Sequence, residues 1–378
     1  MAIGLYIHIP FCLKKCRYCD FISFPVNKKE VEAYLEALSR EIRLYGSTLS
    51  GGEKDVSSLF IGGGTPTCLP GPGLKVLVED VRSAFSTLPG CEITVEANPG
   101  TLDRAGLQHL SEAGVNRISM GVQSFQDRLL GVLGRIHTAQ EAVAGVKQIR
   151  EAGFQNLNLD LIYGIPGQTA EDWQGTLQEA VNLSPEHIAA YGLQLEEGTL
   201  LELAVARGDI NACPEDLELH MYRTAIDFLS ACGYHHYEIS NFARPGRQSA
   251  HNRVYWLNRP YLGLGVGAHS YFQGERFANV PSLERYIERL SREQFPVEAG
   301  ERLSMQTEMS ETLFLGLRLL EGVDLHAFYR RFGRRAEEVY RNEIARLLED
   351  GLLEQAGGRL RLAAKGLPLA NRVFREFV

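Results

Sequence analysis

The chain has 378 residues, 44% of them hydrophobic and 23% charged, as expected for a soluble globular protein with a large core and room for two domains. Its formal charge of −8 gives no support to nucleic-acid binding. No stretch of about 18 uninterrupted apolar residues could cross a membrane, and the N-terminus lacks a basic region and a cleavage site, so the cytoplasm is the expected compartment.

Residues 4–9 are apolar and β-branched and predict a buried strand. Asn27 can cap an amphipathic helix that runs to about residue 45. Strand-like and helix-like stretches then alternate: 58–61 with 74–84, 92–97 with 103–113, 117–121 with 139–152 after a polar loop, 156–162 with 170–183, and 187–195 with 215–232. This spacing predicts βα units on a parallel sheet of six strands. Periodicity alone fits a partial barrel and a doubly wound sheet equally. Past residue 300 the rhythm changes to helices at 304–320, 325–332 and 336–350. Leu352 to Gln355, a Gly357-Gly358 turn and Arg359 to Leu362 predict a hairpin behind them. Helices followed by a hairpin resemble a winged helix, a form that often binds DNA, but the acidic chain speaks against that use.

Three of the seven cysteines fall in His8-Ile9-Pro10-Phe11-Cys12-Leu13-Lys14-Lys15-Cys16-Arg17-Tyr18-Cys19-Asp20-Phe21, directly after the first strand. An odd, lopsided set in a chain of this kind favours metal binding over disulfides. Thiolates hold iron–sulfur clusters. Three of them on one loop can hold three irons of a 4Fe-4S cubane and leave the fourth open to a small chelating molecule. Zinc fits less well, because structural zinc takes four closed ligands and no second cysteine pair follows.

CxxxCxxC after an apolar strand resembles the signature of radical-SAM proteins. The wider segment from Leu5 to Cys12, with Tyr18-Cys19, resembles the oxygen-independent coproporphyrinogen oxidase branch, HemN and its relative HemW. The resemblance implies a partial (β/α)6 TIM-like barrel with a small winged-helix-like α+β domain at its C-terminal end. It also implies that Cys12, Cys16 and Cys19 ligate the cluster and that S-adenosylmethionine (SAM) binds against it. An electron from the cluster then cleaves a C–S bond of SAM, and a 5′-deoxyadenosyl radical results.

Ile61-Gly62-Gly63-Gly64-Thr65-Pro66 follows the second strand, and consecutive glycines let the backbone approach a ligand closely. No Gly-Lys-Ser/Thr follows, which excludes a P-loop. Glu96, Gln123, Arg135 and Asp160 sit at or just past strand ends, where polar groups on parallel strands converge on one crevice. Arginine there suits a carboxylate. The resemblance makes Tyr6, Tyr18, Gly63, Gly64, Thr65, Glu96, Gln123, Arg135 and Asp160 the SAM contacts.

Two features separate HemN from HemW. HemN adds a fourth cysteine two residues after the triad, where this chain has Phe21, and it carries a longer N-terminal segment. His251-Asn252-Arg253-Val254-Tyr255-Trp256 matches the HNxxYW mark of HemW proteins. A neutral imidazole can ligate heme iron, Tyr255 and Trp256 offer flat apolar surface, and Arg247 or Arg253 could pair with a propionate. His251 is thus the candidate heme ligand and His269 the second. The resemblance implies a heme chaperone that passes heme to acceptor haemoproteins such as those of respiration. The alternative is oxidative decarboxylation of coproporphyrinogen III. Three segments are expected: a core barrel at 1–235, the HNxxYW segment and its connection closing the barrel at 236–300, and a C-terminal domain at 301–378. Monomer and dimer remain open. So does peripheral membrane contact, because a heme donor must reach membrane haemoproteins, although no basic amphipathic anchor supports it.

Overall fold

The computed structural model describes residues 2–378. β1 (Ile3–Ile9) leads into a two-residue parallel pair, β2 (Phe11–Cys12) and β3 (Phe24–Pro25), and then into α1 (Lys28–Thr48). Alternation follows: β4 (Asp55–Gly63), α2 (Gly71–Ala84), β5 (Ser86–Ala97), α3 (Arg104–Ala113), β6 (Arg117–Gln123), α4 (Asp127–Leu133), α5 (Ala139–Glu151), β7 (Leu157–Tyr163), α6 (Ala170–Asn182) and β8 (His187–Gly192). Next come α7 (Leu200–Ala206), α8 (Glu215–Ala231), β9 (His235–Glu238), β10 (Asn241–Ala243), α9 (Ala250–Trp256), β11 (Tyr261–Leu264), β12 (His269–Phe272), β13 (Glu275–Asn279), α10 (Leu283–Ser291) and β14 (Val297–Arg302).

β1, β4, β5, β6, β7 and β8 are parallel neighbours in chain order. β11 joins the free side of β1 in parallel, and antiparallel strands extend both edges to a sheet of twelve strands. A doubly wound sheet reverses its strand order partway along. The six βα strands never do, so the sheet is a partial barrel.

Sequence signals at helix starts act as expected. The Asn27 side chain accepts from the Lys29 amide, and Thr138 with Glu141 and Thr169 with Asp172 form capping boxes. Other expectations need correction. The sixth strand stops at Gly192, short of residue 195, because Leu193 turns away into the loop that precedes α7. β5 starts at Ser86, well before residue 92. α4 and α7 occupy stretches that show no clear periodicity, since each is only seven residues long.

In the last third, α11 (Met305–Gly316) ends before residue 320, and β15 (Val323–Asp324) and α12 (Leu325–Phe332) follow. The helix expected over 336–350 breaks at Tyr340 into α13 (Ala336–Val339) and α14 (Arg341–Glu349). β16 (Leu353–Ala356) and β17 (Arg359–Leu362) form the expected hairpin, with α15 (Ala370–Arg375) after it. Met309, Leu313, Phe328, Ile344, Leu347, Leu360 and Val373 build a core there, separate from the barrel core. Among the described residues no helix is long and apolar enough to cross a membrane.

One buried carboxylate fastens the turn beside β1. Glu41 of α1 accepts from the Gly265 amide at 2.8 Å, from Asn279 Nδ2 at 2.7 Å and from the Tyr286 hydroxyl. Burial pushes its carboxyl up to about 7, against the pull of these three bonds. A folded-state pKa above the unfolded value means that Glu41 costs stability as pH rises through 7. Glu41→Ala leaves three buried donors unpartnered and should lower unfolding free energy by about 3 kcal/mol. Glu41→Gln should cost less, and less at pH 8 than at pH 5. Urea denaturation at the two pH values checks both; a larger Gln deficit at pH 8 would refute the sign.

Candidate cluster and cofactor pocket

The cysteine loop is held at both of its ends. β2 pairs with β3, so Phe11 lies beside Phe24 and Cys12 beside Pro25. The Phe24 amide donates to the Pro10 carbonyl at 2.6 Å and the Val26 amide to the Cys12 carbonyl at 3.2 Å. Between these ends the Arg17 amide donates to the Leu133 carbonyl of α4, and the Leu201 amide of α7 donates to the Arg17 carbonyl. His8 Nε2 meets the Ile22 carbonyl at 2.9 Å.

The glycine turn after β4 packs directly under this loop. A Cβ at Gly64 would lie 2.6 Å from the Phe11 carbonyl oxygen and 3.0 Å from Cys12 Sγ. Gly63 has φ +112°, and a Cβ there would lie 2.5 Å from the His8 ring. Larger residues would force the loop and turn apart.

Above the turn opens a pocket of about 470 Å3. Cys12, Cys16, Cys19, Tyr18, Gly63, Gly64, Thr65, Glu96, Gln123, Arg135 and Asp160 all line it. All three cysteines are free and partly exposed. Thr65 Oγ1 lies 3.6 Å from Cys12 Sγ, and Arg135 Nη1 lies 3.5 Å from Cys16 Sγ. Among the described residues no three His, Cys, Asp or Glu side chains converge on a single ion. Donors spread along one loop suit a cubane, which takes one thiolate per iron, better than a mononuclear centre.

The rest of the pocket suits a zwitterion with a sugar. Arg135 donates to Asn98 and to the Gly121 carbonyl, while its Nε is buried without a partner. A ligand carboxylate would suit this donor. Opposite charge is close by. Asp160 accepts from Asn158 Nδ2 at 2.8 Å and from Ser119 Oγ at 3.3 Å. Glu96 accepts from the Gly63 amide at 3.0 Å. Burial first, then the Asp160 charge, pushes the Glu96 carboxyl up to about 8. Gln123 sits at φ 67°, a strained conformation of the kind that collects at binding sites.

The other expected residues lie elsewhere. Tyr6 is beneath the pocket, its hydroxyl 2.9 Å from His8 Nδ1, and does not line it. His251 is 1% exposed inside the barrel. Its Nδ1 meets Ser58 Oγ at 3.0 Å and its Nε2 meets the Tyr255 hydroxyl at 2.8 Å, so neither nitrogen is free for iron. Iron ligation at His251 would require one of these two bonds to be given up. The neighbouring side chains are also engaged with the protein. Tyr255 packs edge-on against Tyr261, Trp256 lies under the Arg318 guanidinium, and Arg253 pairs with Glu321 at 2.9 Å. His269 and Arg247 are exposed.

Asn98, Ser119, Ile162 and Tyr191 line the pocket without having been expected. The alternation of strand side chains could have found three of them. Ser119 shares a face with Gly121 and Gln123, Ile162 shares one with Asp160, and Tyr191 follows the same rule on β8.

Loop, turn and strand-end groups together define a radical-SAM barrel. The Radical SAM superfamily model matches residues 6–180, and the HemN C-terminal domain model matches residues 303–369. A radical-SAM domain implies a 4Fe-4S cluster and SAM. The chain is 37% identical to "Heme chaperone HemW" of Bacillus subtilis (strain 168), covering 99% of this chain and 98% of that one. It is 34% identical to "Heme chaperone HemW" of Escherichia coli (strain K12), covering 100% and 98%. The crystallised coproporphyrinogen III oxidase HemN from Escherichia coli superposes with a TM-score of 0.86 at 26% identity, covering 100% of this chain and 90% of that one. The chain belongs to the HemW family.

A carboxyl with a pKa of about 8 must lose its proton before it can face a sulfonium or ammonium group. SAM affinity should therefore rise with pH up to about 8, by at most about tenfold per unit, and level off above. Glu96→Gln should flatten the profile. Anaerobic calorimetry on cluster-loaded protein checks this; an unchanged slope in the variant removes Glu96 from the site.

Proposed function

We propose that this chain is a heme chaperone of the HemW type, which binds heme and passes it to acceptor haemoproteins, those of respiration among them. Cys12, Cys16 and Cys19 would hold the 4Fe-4S cluster. Tyr18, Gly63, Gly64, Thr65, Glu96, Gln123, Arg135 and Asp160 would hold SAM. Tyr6 acts from below through His8. When bound, the two groups supply one-electron cleavage of a C–S bond of SAM.

The observation that carries this reading is the full-length likeness to proteins named heme chaperones, in a chain whose cysteine loop and zwitterion pocket are complete. The pocket lining adds support. Phe21 there is 58% exposed, and Leu13 and Ile136, at 56% and 55% exposure, line the small adjoining cleft. Exposed apolar side chains beside an opening suit an apolar cargo. Phe21 stands where HemN carries a further cysteine.

Heme ligation passes to His269. Its exposed ring follows the turn at the C-terminal end of β11, and Gly267 of that turn lies against Ile22 of the cysteine loop. Residues 1–235, 236–300 and 301–378 serve as barrel, closing segment and C-terminal domain, and the cytoplasm is the proposed compartment.

The whole-chain superposition on HemN favours one other reading, the oxidative decarboxylation of coproporphyrinogen III. Reconstituted protein given coproporphyrinogen III, SAM and reductant should form no protoporphyrinogen IX; turnover would overturn the chaperone reading. Heme titration should give a Soret band that His269→Ala weakens by about tenfold or more. Cys16→Ala should lose the 4Fe-4S signal in electron paramagnetic resonance (EPR), and a full cluster in that variant would remove the triad assignment.

A further inference from the structure

No residue of the HNxxYW helix lines the pocket, yet rings connect it to the cysteine loop. The His251 ring stacks on Phe60 of β4, with centroids 5.2 Å apart and planes 27° apart. Phe60 stacks on Tyr6 of β1 at 6.3 Å and 29°. The Tyr6 hydroxyl bonds His8 Nδ1 at 2.9 Å, and His8 Nε2 bonds the Ile22 carbonyl at 2.9 Å. Ile22 closes the cysteine loop, and the same His8 ring fills the space above Gly63.

The lower end of this column is fixed on four sides. Ser58 and Tyr255 hold the two nitrogens of His251, and the His251 amide donates to Glu92 Oε1 at 3.2 Å. Val254 of α9 sits against Gly4, where a Cβ would approach it to 3.1 Å. Burial, helped by the Arg117 charge, holds the imidazole neutral, so it can donate through one nitrogen and accept through the other. The outer side of α9 is tied to the C-terminal region through Arg253 with Glu321 and Trp256 with Arg318.

We propose that His251, held by Tyr255, is a positioning residue for the cluster and SAM: it carries the column His251–Phe60–Tyr6–His8, whose upper end sets the cysteine loop and the glycine turn. The proposal rests on the reading of the pocket as a 4Fe-4S and SAM site. Removing the imidazole unseats Phe60 and Tyr6 and lets the loop settle.

Three variants test it: His251→Ala, Tyr255→Phe, which keeps the ring and loses the hydroxyl, and Phe60→Leu, which breaks the stack and keeps the hydrogen bonds at His251. The readouts on reconstituted protein are the SAM dissociation constant, the change in the EPR spectrum of the reduced cluster when SAM is added, and the Soret titration with heme. His251→Ala and Phe60→Leu should each weaken SAM by about tenfold and alter the EPR response, and Tyr255→Phe should do so by about threefold, all with heme affinity unchanged. Where His251→Ala fails to fold, the two conservative variants decide. Wild-type SAM affinity and EPR response in Phe60→Leu and Tyr255→Phe overturn the proposal. So does a loss of heme binding in His251→Ala with SAM binding intact, which would mark His251 as a heme ligand. If wild-type protein takes up neither cluster nor SAM, the pocket reading itself fails.

Discussion

The hydrogen-bonded ladder between β1 and β4 is the constraint on which the site depends. It sets His8 beside Gly62 and Ile9 beside Gly63. The chain leaves β1 directly into the cysteine loop and leaves β4 directly into the glycine turn. One register therefore brings thiols and turn together, and the Gly64 and Thr65 amides complete it by donating to the Ile9 and Phe11 carbonyls. A slip of one residue would exchange the two faces of the strand. Tyr6 and His8 would then meet the helices, and Leu5 and Ile7 would fill the barrel.

That alternation gives the barrel a polar interior. Leu5, Ile7 and Ile9 are buried among the helices, while the other face of the strands presents Tyr6, His8, Ser58, Glu92, Arg117, Asn158 and His187. Buried polar groups are costly unless partnered. Here they partner one another. His187 bonds Asn158 at 2.6 Å and Tyr237 at 2.8 Å, and Asn158 reaches Asp160 at the pocket floor. Arg117, 2% exposed, lies 3.9 Å from Glu92 and helps hold both His187 and His251 neutral. A lining of this kind holds the pocket-facing carboxylates in place. It also places Asp160 close enough to Glu96 that its charge resists ionisation of the Glu96 carboxyl.

The segment after β8 finishes the structure in two directions. β10 and β9 extend the sheet beyond β8, while β11 returns to pair with the first strand. Between them α9 packs against the interior face of β1 and β4. The same short helix therefore faces the barrel interior with His251 and Tyr255 and faces the C-terminal region with Arg253 and Trp256. The buried carboxylate of Glu238 adds a second tie to that region through Arg318 at 3.5 Å. These contacts all fall on the turn between α11 and β15, at Arg318 and Glu321.

Much of this was legible in local pattern. The six strands and most of their helices follow from periodicity and caps, and the cysteine spacing with the strand-end groups picks out the residues that the structure gathers around one pocket. Depth was not legible. Tyr6 and His251 carry the chemistry expected of ligands, but the pattern of a strand tells which face a residue is on and not how far below the opening it lies. That distance is set by the stagger between strands, such as the irregularity between Gly121 and Gln123, which only pairing reveals. His251 shows the limit most clearly. Histidine, tyrosine and tryptophan close together suit a porphyrin equally well on a surface and inside a barrel. What separates the two cases is a partner, Ser58, that lies 193 residues away in the chain. A motif so well matched to a ligand can therefore spend its donors and acceptors entirely on the protein, and here its two nitrogens, its ring face and its backbone amide are all taken.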